Sequence, residues 1–150
     1  MGLLELFRKP RISGEIVDLV KAYEISGDEY DYPSIYYNIL KHDTNTVVGR
    51  CDLRVGENVE LYYAGNIGYS IDIEHRGNGF AYHACNILFK IAKEEYNMKD
   101  LIITCSPNNI ASYKTCLKLN GKLLETVMVP EDHWLYAKGE IEKHIFLYKL

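Results

Sequence analysis

No apolar run in this 150-residue chain approaches the ~20 residues that cross a bilayer as a helix, so no membrane role is expected. There is no C-x-x-C pair. Cys51, Cys85, Cys105 and Cys116 are scattered, with no histidine at ligand spacing. No metal site is therefore expected, and reduced, mostly buried thiols of a cytoplasmic protein are. Positive charge is also short: 17 Lys and Arg against 21 Asp and Glu leave a net charge of −4, without the basic footprint of a nucleic-acid binder. Repeats, low-complexity tracts and linkers are absent. The segment Met1-Gly2-Leu3-Leu4-Glu5-Leu6-Phe7 has no basic flank before its apolar part, unlike a secretion signal, and Leu6 stands where N-myristoylation wants Ser or Thr. What is present suits one soluble domain over residues 1–150, with 47% hydrophobic and 25% charged residues.

The most informative feature is Arg76-Gly77-Asn78-Gly79-Phe80-Ala81. It joins the apolar run Ile67 to Ile73 to a segment whose stripe of Phe80, Ala84, Ile87, Leu88, Ile91 and Ala92 has helical spacing. A strand, a glycine turn and a helix start form an anion site, because free N–H groups and the positive end of the helix dipole face the loop. Glycines let the backbone approach a phosphate closely, and Arg76 adds charge at the mouth. The loop lacks the Gly-x-Gly-x-x-Gly of a dinucleotide turn and the Lys-Ser/Thr of a P-loop.

Its Arg-x-x-Gly-x-Ala pattern, preceded by Ile71-Asp72-Ile73, resembles the acyl-CoA pyrophosphate loop of the GNAT superfamily of N-acyltransferases. A strand at Leu101 to Cys105 follows, then Asn109-Ile110-Ala111-Ser112 and a short helix closed by Asn120-Gly121, similar to that superfamily's second block. The likeness runs from roughly Gly65 to Leu124. It implies acetyl-CoA as donor substrate. Backbone contacts would come from Ile71 and Ile73, with Asp72 between them also at the cofactor, and the phosphate cradle from Arg76, Gly77, Asn78, Gly79, Phe80 and Ala81. Asn109 would contact the pantetheine amide, and Ser112 the coenzyme A. Asn109 also reads as a helix N-cap.

Along the chain, Glu15 to Tyr23 reads as a first strand, Gly27 to Pro33 as a loop, and Ile35 to Leu40 and Val47 to Leu53 as a hairpin. Val59 to Ile73 reads as a fourth strand, and Leu123 to Val129 with Glu140 to Lys149 as a closing pair. The expected fold is α+β and GNAT-like. It has a central mixed, mainly antiparallel sheet, splayed fourth and fifth strands and two main helices. The helices that the family places between its first two strands are shortened or absent. That predicts an open acceptor side, or one closed by a second subunit. A homodimer is a further expectation, since the 13 tyrosines and Trp134 offer aromatic surface.

The implied reaction is attack of an amine, on a small molecule or peptide, on the thioester in a ternary complex. The alternative is an acyl-CoA-binding module without efficient turnover. A lysine-type amine with pKa near 10.4 costs on the order of 4–5 kcal/mol to deprotonate at neutral pH, so a base or water relay is required. Two family positions differ here. Asn66 stands where many relatives carry a carboxylate, and Cys116 where many carry the tyrosine that serves the leaving sulfur. Substitute candidates are Asn66 orienting a water, Glu60 with Tyr62, and His133 among Asp132, Trp134 and Tyr136.

Overall fold

The computed structural model describes residues 10–27 and 32–150. The readings of Met1 to Phe7 and of part of the Gly27 to Pro33 loop lie outside them. In chain order the elements are β1 (Arg11–Ser13), β2 (Val17–Ile25), β3 (Ser34–Lys41), β4 (Val47–Arg54), α1 (Val59–Ala64) and β5 (Ile67–Ile71). Then come a 3-10 turn (Ile73–His75), α2 (Phe80–Tyr96), β6 (Asp100–Cys105), α3 (Ile110–Lys118), β7 (Lys122–Met128), α4 (Trp134–Ala137) and β8 (Glu142–Lys149).

The strands form two sheets, ordered β1-β2-β3-β4-β5 and β6-β8-β7, with antiparallel pairing throughout. The predicted splay is thus complete enough to divide the hydrogen bonding, and the expected single mixed sheet becomes two. One core nevertheless spans both. Val17, Leu19, Ile39, Cys51 and Leu53 of the first sheet meet Ala84, Leu88 and Ile91 of α2 and Leu101, Ile103 and Phe146 of the second. The α2 stripe is the one the sequence predicts, and the helix stops at Asn97, whose left-handed backbone returns its N–H to Ala92 O.

The clearest correction concerns the predicted strand Val59 to Ile73. Its first part is a helix instead, because Asn58 caps it by accepting from Leu61 N and Gly65 ends it at φ 85°. Gly65 also lets the chain pass close to β6, since a Cβ there would meet Thr104 N at 3.2 Å and Ile102 O at 3.3 Å. Its last part is the 3-10 turn, so only Ile67–Ile71 extends β4. Among the described residues no helix stands between β2 and β3, as expected.

Candidate functional site

Two concave regions meet at β5. The first is a groove of about 440 Å³ along the loop Arg76–Ala81, bordered by Ile71 on β5 and by Asn109, Ser112 and Thr115 at the start of α3. Gly79 is the N-cap of α2. It has φ 72° and offers no side chain to the helix end, so the first-turn N–H groups keep no local side-chain partner. Gly77, at φ 84°, is also left-handed. Arg76 folds back to donate from Nε to Ile71 O at 2.9 Å, which leaves its two terminal nitrogens at the mouth. Asn78 braces the turn by donating to His75 O at 2.9 Å. The result is a cradle of backbone donors at a positive helix end, suited to an anionic group.

Of the predicted donor contacts, Ile71, Arg76, Gly77, Asn78, Gly79, Phe80, Ala81, Asn109 and Ser112 line this groove, whereas Asp72 and Ile73 do not. The strand ends before them. Asp72 N donates to Val48 O at 2.9 Å, and Ile73 sits in the 3-10 turn at 76% exposure. Tyr69 and Ser70 take their place on β5. Asn109 does cap α3, accepting from Ser112 N at 3.1 Å.

The second region is the cleft where β5 and β6 part. Asn66 pins the strands together at its closed end: its N–H donates to Ile102 O at 2.7 Å and its Oδ1 accepts from Ile102 N at 2.8 Å. Beyond that point lie Gly68 and Tyr69 on one side and Thr104, Cys105 and Ser106 on the other. Arg54, Trp134, Lys138, Glu140 and Lys143 form the polar end of this 260 Å³ space. Lys143, nearly buried, donates to Glu140 Oε1 at 2.6 Å, and the Lys138 ammonium lies 4.9 Å from the Trp134 ring centre. Tyr69, Asn109 and Ser112 border both regions. Across their junction the Tyr69 hydroxyl and Ser112 Oγ stand 2.6 Å apart. Burial raises the Tyr69 pKa, so its proton stays on.

The three candidates for the proton path are placed elsewhere. Asn66 is 4% exposed and gives Nδ2 to Arg54 O and Gly56 O, both at 2.9 Å, so every polar atom of its side chain is already paired with backbone. His133 caps α4 by accepting from Leu135 N at Nδ1, which puts the ring proton on Nε2, 3.0 Å from Glu60 O. Neither nitrogen is left to accept a substrate proton. Glu60 lies in the first turn of α1, and neither Glu60 nor His133 lines the cleft, although Trp134 does. Asn66 and His133 thus act as staples. Cys116 is wholly buried, and its S–H bond to Cys105, with burial, pushes its pKa far up, so it does not reach the cleft as an acid.

A family model described as an acetyltransferase (GNAT) domain matches residues 6–122. The chain belongs to the GNAT acetyltransferases. No curated protein matches it. Among solved structures, one similar chain is an acetyltransferase (GNAT family) from Bacillus anthracis, with 18% identity, coverage of 76% of this chain and 65% of that one, and a TM-score of 0.60. A putative ribosomal-protein-serine acetyltransferase from Vibrio cholerae has 16% identity, 94% and 98% coverage and a TM-score of 0.67. A ribosomal L7/L12 alpha-N-protein acetyltransferase in complex with coenzyme A has 14% identity, 94% and 98% coverage and a TM-score of 0.69. The splayed strands and the loop-helix cradle are therefore features of a GNAT fold. The GNAT acetyltransferases are acyl-CoA-dependent N-acetyltransferases, acetyl-CoA being the family's cosubstrate. Within the described residues no helix is long and apolar enough to cross a membrane.

Proposed function

We propose that the protein moves an acetyl group from acetyl-CoA to a primary amine by direct attack in a ternary complex. One observation carries this reading: the cradle and the cleft are continuous, joined at Tyr69, Asn109 and Ser112. Pyrophosphate in the cradle would direct the pantetheine arm along β5 and past the Tyr69–Ser112 pair. The thioester would then lie in the cleft between Gly68 and Thr104. Backbone N–H groups of β5 freed by the splay would meet the thioester oxygen as it gains charge, where stabilisation lowers the barrier most. The Tyr69 and Ser112 hydroxyls are the donors nearest the path of the leaving sulfur.

The acceptor we propose is an amine presented on a peptide or protein. Among the described residues no helix stands between β2 and β3, where the family resemblance places an acceptor-side wall. Two of the similar structures are named as ribosomal-protein acetyltransferases, which agrees with that class. The commitment of Asn66 and His133 to the backbone favours the second reading, an acyl-CoA-binding module without turnover. Thiol release from acetyl-CoA, measured with a panel of peptide N-termini, lysine peptides and small amines, decides between them. Acetyl-CoA binding by calorimetry without amine-dependent release would establish the module, and no binding at millimolar concentration would refute both.

A further inference from the structure

The position just before β5 where the family resemblance leads one to expect a carboxylate holds Asn66, but a carboxylate approaches β5 from the next strand. Asp52 of β4 pairs directly with Gly68 of β5, one residue before Tyr69. Because Gly68 has no side chain, the Asp52 carboxylate occupies the space above its Cα. A Cβ on Gly68 would lie 2.6 Å from Asp52 Oδ1 and 2.9 Å from Arg54 Nη2. Gly68 and Arg54 both line the cleft, and the Asp52 carboxylate stands directly behind Gly68, outside the lining itself.

Asp52 is only 9% exposed. Its Oδ2 is sealed from solvent and receives no well-aligned hydrogen bond. The polar neighbour of that oxygen is Arg54 Nε, 2.9 Å away. Arg54 is itself fixed by donating from Nη1 to Ala64 O and Gly65 O, both at 3.1 Å. A carboxylate withdrawn from water with so few donors destabilises the fold, and a group of this kind calls for an explanation beyond packing. We propose that Asp52 is the base that takes the proton from the acceptor ammonium. This rests on the acetyltransfer reading.

In that step one ammonium proton passes to the Asp52 carboxylate. The freed nitrogen lone pair bonds to the thioester carbon, and the carbonyl π pair moves to oxygen. When the oxygen pair returns, the C–S bond breaks and its electrons leave on sulfur. A second nitrogen proton ends on that sulfur, giving the free thiol of coenzyme A. The third stays on the amide, and Asp52 returns its proton to water, so one proton is released per acetyl group. Burial raises the Asp52 pKa from its ordinary value against the pull of Arg54, which makes it a stronger base than an exposed aspartate. The groups facing it are Arg54 on its own strand, Tyr36 opposite on β3 and Tyr32 before that strand.

The test is Asp52→Asn in the full chain, assayed with the best amine of the panel. The expected loss in kcat at neutral pH is roughly 10²–10⁴-fold, with acetyl-CoA affinity unchanged by calorimetry. Activity of the variant should climb as pH approaches the amine's own pKa, where the amine no longer needs a base. Formate should restore part of the activity of Asp52→Ala, a recovery that a purely structural defect would not give. Gly68→Ala displaces the carboxylate while keeping its charge, and it should lower kcat. That variant decides the matter should the Asp52 variants fail to fold. Near-wild-type kcat in Asp52→Asn or in Gly68→Ala overturns the assignment, as does a lack of formate rescue in a folded Asp52→Ala. Wild-type protein that turns over no amine refutes the acetyltransfer reading itself, which separates the two failures.

Discussion

Asp18 is the buried charge whose removal should be felt most strongly in stability. It is fully buried on β2, and both of its oxygens are taken. Oδ2 accepts from Arg11 Nε at 3.2 Å, Arg11 Nη2 at 2.8 Å and Asp43 N at 3.0 Å, while Oδ1 meets Gly14 N at 3.2 Å and His42 Nδ1 at 2.8 Å. This one side chain therefore fixes β1 and the β3–β4 turn to β2. Burial opposes its charge, but the bonds from His42, Arg11, Asp43 and Gly14 win and lower its pKa from 3.8 to about 2. At 1.36 kcal/mol per pH unit that difference is about 2 kcal/mol of folding stability. A depressed carboxylate contributes fully above the unfolded value and is lost as pH falls through the folded one, so the loss should run from about pH 4 down to about pH 2. The pKa of His42 is raised, chiefly by its bond to Asp18. Its contribution is present below 6.5 and disappears as pH rises through the folded value, which puts the widest margin between the two ranges. Asp18→Asn strands Arg11 and one backbone donor, at a cost of about 3 kcal/mol by analogy with broken buried pairs. Urea melts followed by circular dichroism from pH 2 to pH 8 measure both effects. A variant within about 1 kcal/mol of wild type, or one that keeps the acid-side slope, would refute the reasoning.

Arg76→Ala should weaken acetyl-CoA binding by about 1–2 kcal/mol in calorimetry, and Gly79→Glu should abolish it by putting a carboxylate and a strained backbone into the cradle. Asn66→Ala leaves Ile102 N, Arg54 O and Gly56 O unpaired at the closed end of the splay, so thermal melts should show a loss of about 3 kcal/mol. Unchanged stability with a collapse in kcat would make Asn66 catalytic instead. His133→Ala removes the cap of α4, at a cost of about 1 kcal/mol, and should keep kcat within about tenfold. A loss of about three orders of magnitude at normal acetyl-CoA affinity would install His133 as the base.

The cradle was legible because its physics is local. A strand, two left-handed glycines and a helix stripe are all encoded within sixteen residues of Arg76, and nine of the eleven predicted donor contacts line the groove. The α1 error was local too, but ambiguous. Val59-Glu60-Leu61-Tyr62-Tyr63-Ala64 alternates well enough for a strand, and the deciding signals were a cap at Asn58 and a stop at Gly65. The apolar spacing alone could not weigh them.

The cleft was much less legible, because its walls come from residues far apart in sequence. His133 looked available as a base, and the Leu135 and Glu60 backbone atoms that occupy its nitrogens are visible only after folding. Asp52 is the outward-facing member of an alternating strand, a position that usually means a solvated side chain. What changes its meaning is the register: Asp52 falls opposite Gly68, and register follows from pairing across a hairpin and a helix, not from either strand. A glycine in a strand interior signals close approach of another group, so Gly68 was the residue that could have pointed to it. The fold supplies the donor site through a contiguous motif, whereas acceptor chemistry depends on which side chains a neighbouring strand can lend across a missing Cβ. In this chain the proposed base therefore lies one strand away from where the family pattern directs the search.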